Sequence, residues 1–307
     1  MRLLSCSALA CILALPFATH ADENLFGYVK GAETLPKGSM ELYEIVTKRS
    51  DKGAGEYDAW DMETELEYGV TDRFNISGSI KLMSIDTSGL IIDGYLPGAE
   101  QYGPKFAGGE FAMKYNFLSP AKDDFGLSGY MSFDYGTLDP HSGKDKTTRS
   151  LDVQLLAQKY FMEGQMIWVG NIAMENTYAV RDPLAVQPTA NFDWPLEPEM
   201  EIEWKFGTGL SYRFMPNWYL GAEAIYETEF ETEVGQERWS LFAGPSLHYG
   251  GPSFWATLTW FDQLRGGGEK YENQYPDENN PVPQADTDLH LVEKTKDEWR
   301  LKVGFNF

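Results

Sequence analysis

The feature that most constrains the fold of this chain is a strict alternation of two kinds of residue, which recurs along most of its length. From Trp60 to Val70 every second residue is apolar or uncharged, and four carboxylates alternate with them: Asp61, Glu63, Glu65 and Glu67. Successive side chains of a strand point to opposite faces. The stretch is therefore predicted to be a strand with one apolar face and one column of acids, because a helix would distribute both sets around its circumference.

The same alternation predicts about twelve strands of about ten to thirteen residues each. Two of them, Met40 to Lys48 and Ser253 to Leu264, have an ambiguous register. Strands of soluble proteins have about five or six residues, whereas strands that cross a bilayer at a tilt have about nine to eleven. The lengths therefore favour a transmembrane barrel.

The connections between the predicted strands alternate in length. The short ones are Thr71 to Arg73, Ser119 to Asp124, Met162 to Gln165, Met215 to Asn217 and Gly250 to Pro252. The longer ones are Ser50 to Ala59, Ile85 to Lys105, Gly136 to Thr147, Ala179 to Glu199, Glu231 to Glu237 and Arg265 to Lys296. Such alternation is typical of barrels with short periplasmic turns and long extracellular loops. The sequence thus predicts an all-β fold, a closed up-and-down antiparallel transmembrane β-barrel.

The composition excludes several other classes of protein. The 307 residues include 25 Lys and Arg against 47 Asp and Glu, a net charge of −22, which repels polyanions, so no nucleic-acid partner is expected. The 42% of hydrophobic and 14% of aromatic residues are too many for intrinsic disorder. After the N-terminus, no apolar run approaches the roughly 20 residues that a transmembrane helix requires.

The first residues have the pattern of an export signal. A basic residue, Arg2, precedes an apolar core from Leu3 to Pro16, and small residues lead up to Ala21. We expect residues 1–21 to be a signal peptide that is cleaved after Ala21. Both cysteines lie inside it, so no disulfide is expected in the mature chain.

The remaining chain is predicted to form one domain. Residues 39–307 are assigned to the barrel, and residues 22–38 to a periplasmic lead in front of it. Whether this lead covers the barrel or enters it stays open at this stage.

The C-terminus resembles that of a known class of protein. The last residues, Leu301 to Phe307, alternate and close on Phe, and this ending resembles the C-terminal signal of the outer-membrane β-barrel proteins of Gram-negative bacteria. The stretches Ala32 to Gly38, Leu42 to Tyr43 and Tyr68 to Phe74 resemble an uncharacterised family of predicted outer-membrane barrels, a domain of unknown function, some of whose members are called transporters. The resemblance implies a bacterial outer-membrane location, contact with lipid and lipopolysaccharide, and recognition by the barrel assembly machinery through Phe307. It implies no catalytic residues.

Two sets of residues are candidates for functional roles. Carboxylates on the polar faces are predicted to line the lumen or its outer mouth: Asp61, Glu63, Glu65, Glu67, Glu201, Glu203, Glu223, Glu227 and Glu229. Large aromatics near strand ends are predicted to form the girdles at the two membrane interfaces: Trp60, Tyr68, Trp218, Phe230, Trp239, Trp299 and Phe307. The alternatives are a lumen braced by ion pairs with no open path, and aromatics that belong to a soluble core.

Catalytic and metal-binding motifs are weak in this sequence. After the signal peptide there are three histidines, His141, His248 and His290. His248 shares a face with Ser246, but a nucleophile and a base need a third, orienting group. There is no zinc spacing, phosphate loop or dinucleotide fingerprint. We therefore predict no catalytic, cofactor-binding or metal-binding residues, no cofactor, and no enzyme activity.

These observations predict an outer-membrane barrel that is a passive channel or transporter for small solutes, with a polar, acid-rich lumen and a mild cation preference. The alternative is a non-conducting structural or surface-interaction barrel that uses its long extracellular loops. A barrel-embedded hydrolase is a less favoured alternative.

Overall fold

The computed structural model describes residues 24–91, 100–183, 196–231, 235–268, 288–291 and 293–307. The predicted signal peptide and its cleavage site after Ala21 lie outside this part of the chain. The strands are β1 (Met40–Ser50), β2 (Ala54–Thr71), β3 (Phe74–Ile91), β4 (Gln101–Leu118), β5 (Gly126–Leu138), β6 (Asp145–Phe161), β7 (Met166–Arg181), β8 (Glu199–Met215), β9 (Trp218–Glu231), β10 (Gly235–Gly250), β11 (Phe254–Gly268) and β12 (Asp297–Asn306).

Each strand pairs antiparallel with the next, and β1 also pairs with β12, so the sheet closes on itself. Closure leaves no strand edge unpaired, which is the condition for strands to survive in hydrocarbon, where backbone groups have no water to bind. The predicted fold, an all-β closed antiparallel barrel of about twelve strands, is confirmed. The described residues include no helix with the length and apolar character needed to cross a membrane.

The alternation seen in the sequence separates the two faces of the wall. On β2, Leu66 is 44% exposed on the outer face, whereas its neighbour Glu65 is 9% exposed on the inner face. On β9, Leu220 points outward and Glu223 inward, with 57% and 3% of their surfaces exposed. The barrel therefore has an apolar outer surface and a polar interior.

Several strands are longer than the sequence predicted. Strands β2, β3 and β4 each have 18 residues, so the expected length of ten to thirteen is wrong for them. The expected connection Ser50 to Ala59 shortens to 51–53, and the expected connection Glu231 to Glu237 is shorter as well, since β10 already begins at Gly235. The cause is visible on β2, where Tyr57 and Ala59 are buried inside the barrel and continue its alternation toward the end of the strand.

Pro245 lies inside β10, where the missing N–H group of proline predicts either a bulge near Gly244 and Pro245 or a misplaced strand boundary. Pairing with β11 passes from Ala243–Asp262 to Ser246–Thr259 without a change of register. The register shift lies a few residues earlier, between Leu241 and Phe242. The ladder thus adapts near the proline rather than at it.

The two ends of the barrel are named here by their connections. The turn end carries 72–73, 119–125, 162–165, 216–217 and 251–253, together with Phe307. Among the described residues, the loop end carries 51–53, 100, 139–144, 182–183, 196–198, 288–291 and 293–296.

Candidate functional site

The interior of the barrel is occupied near its turn end by the chain's own N-terminal residues. We call residues 24–33 the lumen segment. It begins against β11, where the Thr257 hydroxyl donates to the carbonyl of Asn24 at 2.6 Å. It ends against β4 and β6, where Asn116 donates to the carbonyl of Ala32 at 2.8 Å and the Ala32 N–H donates to Gln158 at 2.7 Å. The segment therefore crosses the lumen from one side of the wall to the other.

One carboxylate holds the middle of the lumen segment. Glu223 on β9 accepts hydrogen bonds from the backbone N–H groups of Gly27, Tyr28 and Val29 at 2.8, 2.9 and 2.9 Å. The hydroxyl of Thr259 donates to the same carboxylate at 2.9 Å. Three successive amides aimed at one anion satisfy donors that would otherwise be buried without partners.

The wall has a notch that fits an apolar side chain of the segment. Phe26 is fully buried and packs with Ile167 and Val169. Its ring lies on Gly209 and Gly221, where an added Cβ would come within 2.8 and 3.1 Å of ring atoms. Glycine at these positions leaves room for the ring, so wall and segment have complementary shapes.

Polar side chains also fix the segment beyond the Glu223 contact. The Asn171 side chain accepts from the Lys30 N–H at 2.7 Å and donates to the Lys30 carbonyl at 2.8 Å. Tyr28 stacks on Phe261 with ring centroids 4.3 Å apart, and the Arg300 guanidinium lies 3.8 Å from the centre of the Tyr28 ring. Both faces of this tyrosine are therefore used.

A cavity of about 210 Å³ lies between the lumen segment and the inner face of β1 to β5 and β12. Acids line one side of it, and we call Glu63, Glu65 and Glu110 the acidic wall. Bases line another side, and we call Arg300 and Lys302 the basic wall. The cavity is thus polar: its acids on β2 and its bases on β12 lie on different strands, whereas β4 contributes both Glu110 and Lys114.

The loop end is crossed by inward-folded connections. We define the loop-end layer as residues 139–142 and the described part of 288–296, together with Lys52 and Arg238, which contact Glu293. The carbonyl of Pro140 accepts from Arg49 at 2.7 Å and from the Tyr57 hydroxyl at 3.1 Å. The Lys52 ammonium donates to the carbonyl of Glu293 at 2.6 Å, and its Nζ lies 2.6 Å from Nδ1 of His141.

Burial disfavours charge on two groups of this layer. Burial and the nearby Arg49 hold the pKa of Lys52 well below its usual range. Burial and the adjacent Lys52 hold the pKa of His141 well below its usual range as well. Because the two groups touch, charging one disfavours charging the other.

Ion pairs brace the rest of the loop-end layer. Arg238 pairs with Glu229, Glu237 and Glu293. Burial by itself would raise the pKa of Glu293, but Arg238 and His290 lower it to about 2. Pairs this deeply buried are costly to break, because the remaining charge would have no partner.

The predicted lumen acids all lie on inner-facing positions, but they fall into separate groups. Glu223 binds the lumen segment, and Glu63, Glu65 and Glu67 line the cavity. Those assigned to the outer mouth mostly have basic partners: Asp61 pairs with Arg49, Glu203 with Lys205 and Lys294, Glu227 with Lys294, and Glu229 with Arg238; Glu201 lies beside them on β8. The ion-paired lumen that the sequence left open as an alternative describes this region. An acidic mouth with a cation preference stays a prediction.

The predicted girdle aromatics all lie on the outer face. Tyr68, Trp218 and Phe307 lie at the turn end, and Trp60, Phe230, Trp239 and Trp299 lie toward the loop end. Tyr68 and Trp60 are eight residues apart on β2, a rise of roughly 20 Å along the axis of a tilted strand. That separation is close to the apolar band of about 25 Å in transmembrane barrels.

The histidines have structural surroundings. Nδ1 of His248 lies 2.7 Å from the hydroxyl of Thr257, and its ring packs edge-on against Tyr219 at 5.7 Å. The Ser142 hydroxyl, beside His141, donates to Asp139 at 2.6 Å. Within the described residues, no group of three or more His, Cys, Asp or Glu is arranged to hold a metal ion.

Sequence reasoning missed two features. The contacts of the lumen segment were not foreseen, although the glycines on inner positions of β8 and β9 are a signal that something approaches closely. Glu44 was not foreseen either: it lies on the outer face of β1 and accepts a hydrogen bond from Thr64 at 2.6 Å. The register of this strand is ambiguous in the sequence, so the position of Glu44 on the apolar outer surface could not be predicted.

Comparison with known proteins gives a family and a fold. The sequence model of a family of unknown function, DUF6662, matches residues 18–307. No curated protein matches the chain in sequence.

Two solved structures have similar folds. The COG4313 outer membrane channel from Pseudomonas putida F1 has a TM-score of 0.57 at 12% identity, over 90% of this chain and 98% of that chain. The beta domain of the Bordetella autotransporter Brka has a TM-score of 0.53 at 8% identity, over 88% of this chain and 100% of that chain. At such identities the similarity establishes the fold alone, and a channel and an autotransporter domain share it, so the function must be argued from the lumen.

Proposed function

The chain belongs to the DUF6662 family, a family of unknown function, and from the geometry of its lumen we propose that it is an outer-membrane channel for small solutes that the lumen segment closes at rest. Solutes would pass by diffusion through the polar interior, without a cofactor.

The observation that carries this proposal is the way the lumen segment is held. Its backbone binds wall side chains such as Glu223, Asn171 and Gln158 through hydrogen bonds. Each of these wall groups is polar and could bind water or a solute in the segment's place. A barrel filled for rigidity alone would be expected to pack its interior with side chains of the wall itself. A separable segment in a polar lumen is suited to a gate.

The outer surface supports a location in the outer membrane. The apolar outer face and the two levels of aromatics, roughly 20 Å apart on β2, match a bilayer with tilted strands. In this orientation the turn end faces the periplasm, lipid and lipopolysaccharide surround the wall, and the exposed Phe307 is available to the assembly machinery.

The loop-end layer favours the second candidate, a non-conducting barrel whose outer loops bind a partner. Arg238, Glu293 and Lys52 join two connections across that end. A barrel that is permanently closed at both ends would present its loops to a partner rather than let solutes pass. The two candidates differ in whether folded protein conducts ions.

Conductance in planar bilayers distinguishes them. We expect brief, rare openings from the full mature chain and frequent, larger ones from a variant that lacks residues 24–33. Recordings are made at pH 7 and at pH 5. The closed loop-end layer disfavours protonated His141, so lowering the pH to 5 should weaken this layer. Absence of conductance from the folded deletion variant at both pH values would contradict the channel and favour display.

The selectivity of that conductance tests the acids of the lumen. Replacing Glu63, Glu203 and Glu227 together by Gln should lower the preference for cations, because these carboxylates lie on inner-facing positions and their field concentrates cations. The measurement is the reversal potential in a salt gradient. An unchanged reversal potential would remove these residues from the conducting path.

A further inference from the structure

Two of the strands that line the cavity beside the lumen segment, β2 and β12, each contribute charges of one sign to it. Glu63 and Glu65 lie on β2, and Lys302 lies on β12. Strand β1 lies between them, and its Ile45 is in register with Glu63 on one side and with Lys302 on the other. Two strand spacings, about 9.6 Å between backbones, therefore separate the acidic wall from the basic wall, and long side chains can approach each other across that gap.

The lumen segment places a cation against the acidic wall. The Lys30 ammonium lies 3.8 Å from the centre of the Tyr130 ring, and the Tyr130 hydroxyl donates to Glu110 at 2.7 Å. Lys30 also interacts electrostatically with Glu65 and Glu110. An aromatic face flanked by carboxylates is a favourable environment for an ammonium group.

The same segment places oxygen acceptors against the basic wall. The Lys302 ammonium donates to the side-chain oxygen of Asn24 at 2.5 Å. The Arg300 guanidinium donates to the carbonyl of Gly27 at 3.2 Å. Three residues of the segment, Asn24, Gly27 and Lys30, thus supply an ammonium group to one wall and oxygens to the other.

A buried hydrogen-bond acceptor in the cavity also indicates that a ligand binds there. Asn75 is 1% exposed and lines the cavity, and its amide nitrogen donates to Glu67 at 2.5 Å. Its side-chain oxygen has no hydrogen-bond partner among the described residues. A buried acceptor left without a donor costs free energy, and a bound ligand with N–H groups would satisfy it.

We propose that this cavity binds a small zwitterion, a solute with an ammonium group for Glu65 and Glu110 and a carboxylate for Arg300 and Lys302, and that the lumen segment occupies the site as an internal mimic of that solute. The inference rests on the proposed channel, since it names the class of solute that the channel would take. A solute that binds both walls would replace the contacts of Lys30 and Asn24 and so favour release of the segment.

The size of the cavity limits the ligand. A volume of about 210 Å³ corresponds to roughly seven waters at about 30 Å³ each. An amino acid with a short chain is of this size, and a larger ligand would have to displace the lumen segment entirely.

The test is calorimetric binding to the full mature chain in detergent, with three probes of equal chain length: 4-aminobutyrate, butylammonium and butyrate. We expect 4-aminobutyrate to bind at least tenfold more tightly than either singly charged probe, because each wall contributes a charge-assisted contact. Equal, weak affinities for all three that fall together with added salt would show nonspecific accumulation and overturn the proposal. This comparison needs no variant.

Variants then test which wall binds the ammonium group and which binds the carboxylate. Glu65→Gln should weaken 4-aminobutyrate and butylammonium about tenfold or more and leave butyrate unchanged, whereas Lys302→Gln should weaken 4-aminobutyrate and butyrate and leave butylammonium unchanged. Lys30→Met should strengthen both ammonium probes by removing the internal competitor. Glu163→Gln removes one charge from the exposed turn 162–165 and should change nothing.

These experiments distinguish failure of the zwitterion site from failure of the proposed channel. Loss of affinity for all probes alike in both wall variants, with folding verified by heat-dependent gel migration, would overturn the zwitterion site. A barrel that binds 4-aminobutyrate selectively but never conducts would refute the channel and leave the binding site standing. A barrel that conducts without selective binding would do the reverse.

Discussion

Replacing Glu223 by Gln should release the lumen segment from the wall. One carboxylate oxygen accepts from the Gly27 N–H and from the Thr259 hydroxyl, and the other accepts from the N–H groups of Tyr28 and Val29. A glutamine keeps only one oxygen. Whichever way its amide is oriented, its NH₂ group faces two donors that it cannot accept from.

The free energy by which the bound segment is destabilised follows from the number of hydrogen bonds lost. Two charge-assisted hydrogen bonds are lost, each with a net contribution of about 1.5–3 kcal/mol. The lower value is appropriate because water can enter the lumen and satisfy the released amides. A loss of about 3 kcal/mol shifts the equilibrium between bound and released segment by roughly 150-fold.

Hydrogen exchange of the amides measures that equilibrium directly. In Glu223→Gln, exchange at Gly27, Tyr28 and Val29 should accelerate by roughly 100-fold, since their protection depends on the bound state. The matched control is Glu227→Gln, which removes a carboxylate four residues further along the same face of β9, where it pairs with Lys294. Unchanged exchange in Glu223→Gln, or equal acceleration in both variants, would refute the assigned role of Glu223.

Three further changes test other parts of the structure. Gly209→Val places methyl groups where the Phe26 ring lies 2.8 Å from an ideal Cβ, so overpacking of about 1–3 kcal/mol should raise the exchange of the lumen segment, whereas Gly78→Val, whose nearest neighbour lies at 3.8 Å, should not. Glu44→Leu removes a carboxylate from the outer face and should stabilise the barrel against urea in lipid vesicles by about 1–2 kcal/mol; destabilisation would mean that the hydrogen bond from Thr64 outweighs the cost of a carboxylate there. The pKa of His141 is lowered on folding, so the unfolded chain binds the proton first as the pH falls below about 6.5, and the free energy of unfolding should fall by at most about 1.4 kcal/mol per pH unit. His141→Gln should flatten this pH dependence in unfolding measured from pH 7 to pH 5. An unchanged slope would assign the pH dependence to other groups.

The wall of the barrel could be predicted because its information is local. Alternation on β2 and β9 places Leu66 and Leu220 outside and Glu65 and Glu223 inside, and a sheet with one apolar face must turn that face to an apolar medium. Strand ends were less predictable. Residues such as Tyr57 continue a strand because they pack on the loop-end layer, which no short window of sequence describes.

The contents of the lumen could not be predicted for the same reason. Glu223 binds amides almost two hundred positions away in sequence, and Lys294 reaches Glu203 on β8 from the connection between β11 and β12. An inward carboxylate has the same local pattern whether it lines a pore, binds a segment or pairs with a base. Only the closed sheet decides which of these partners it meets.

The two obstructions of the lumen lie in series, and this determines how each variant should behave. The lumen segment is held by hydrogen bonds to polar and charged wall groups and by one apolar notch, whereas the loop-end layer contains buried ion pairs around Arg238 and Glu293. Passage requires both to open, so the open fraction of the lumen is the product of the open fractions of the two obstructions. Breaking a buried pair costs about 3–5 kcal/mol, comparable with the contribution of about 3 kcal/mol from two bonds to Glu223. Deleting residues 24–33 should therefore raise the absolute mean conductance by a smaller amount at pH 7 than at pH 5, where His141 favours opening of the loop-end layer. An absolute increase that is equal at both pH values would mean that the loop-end layer does not obstruct the path.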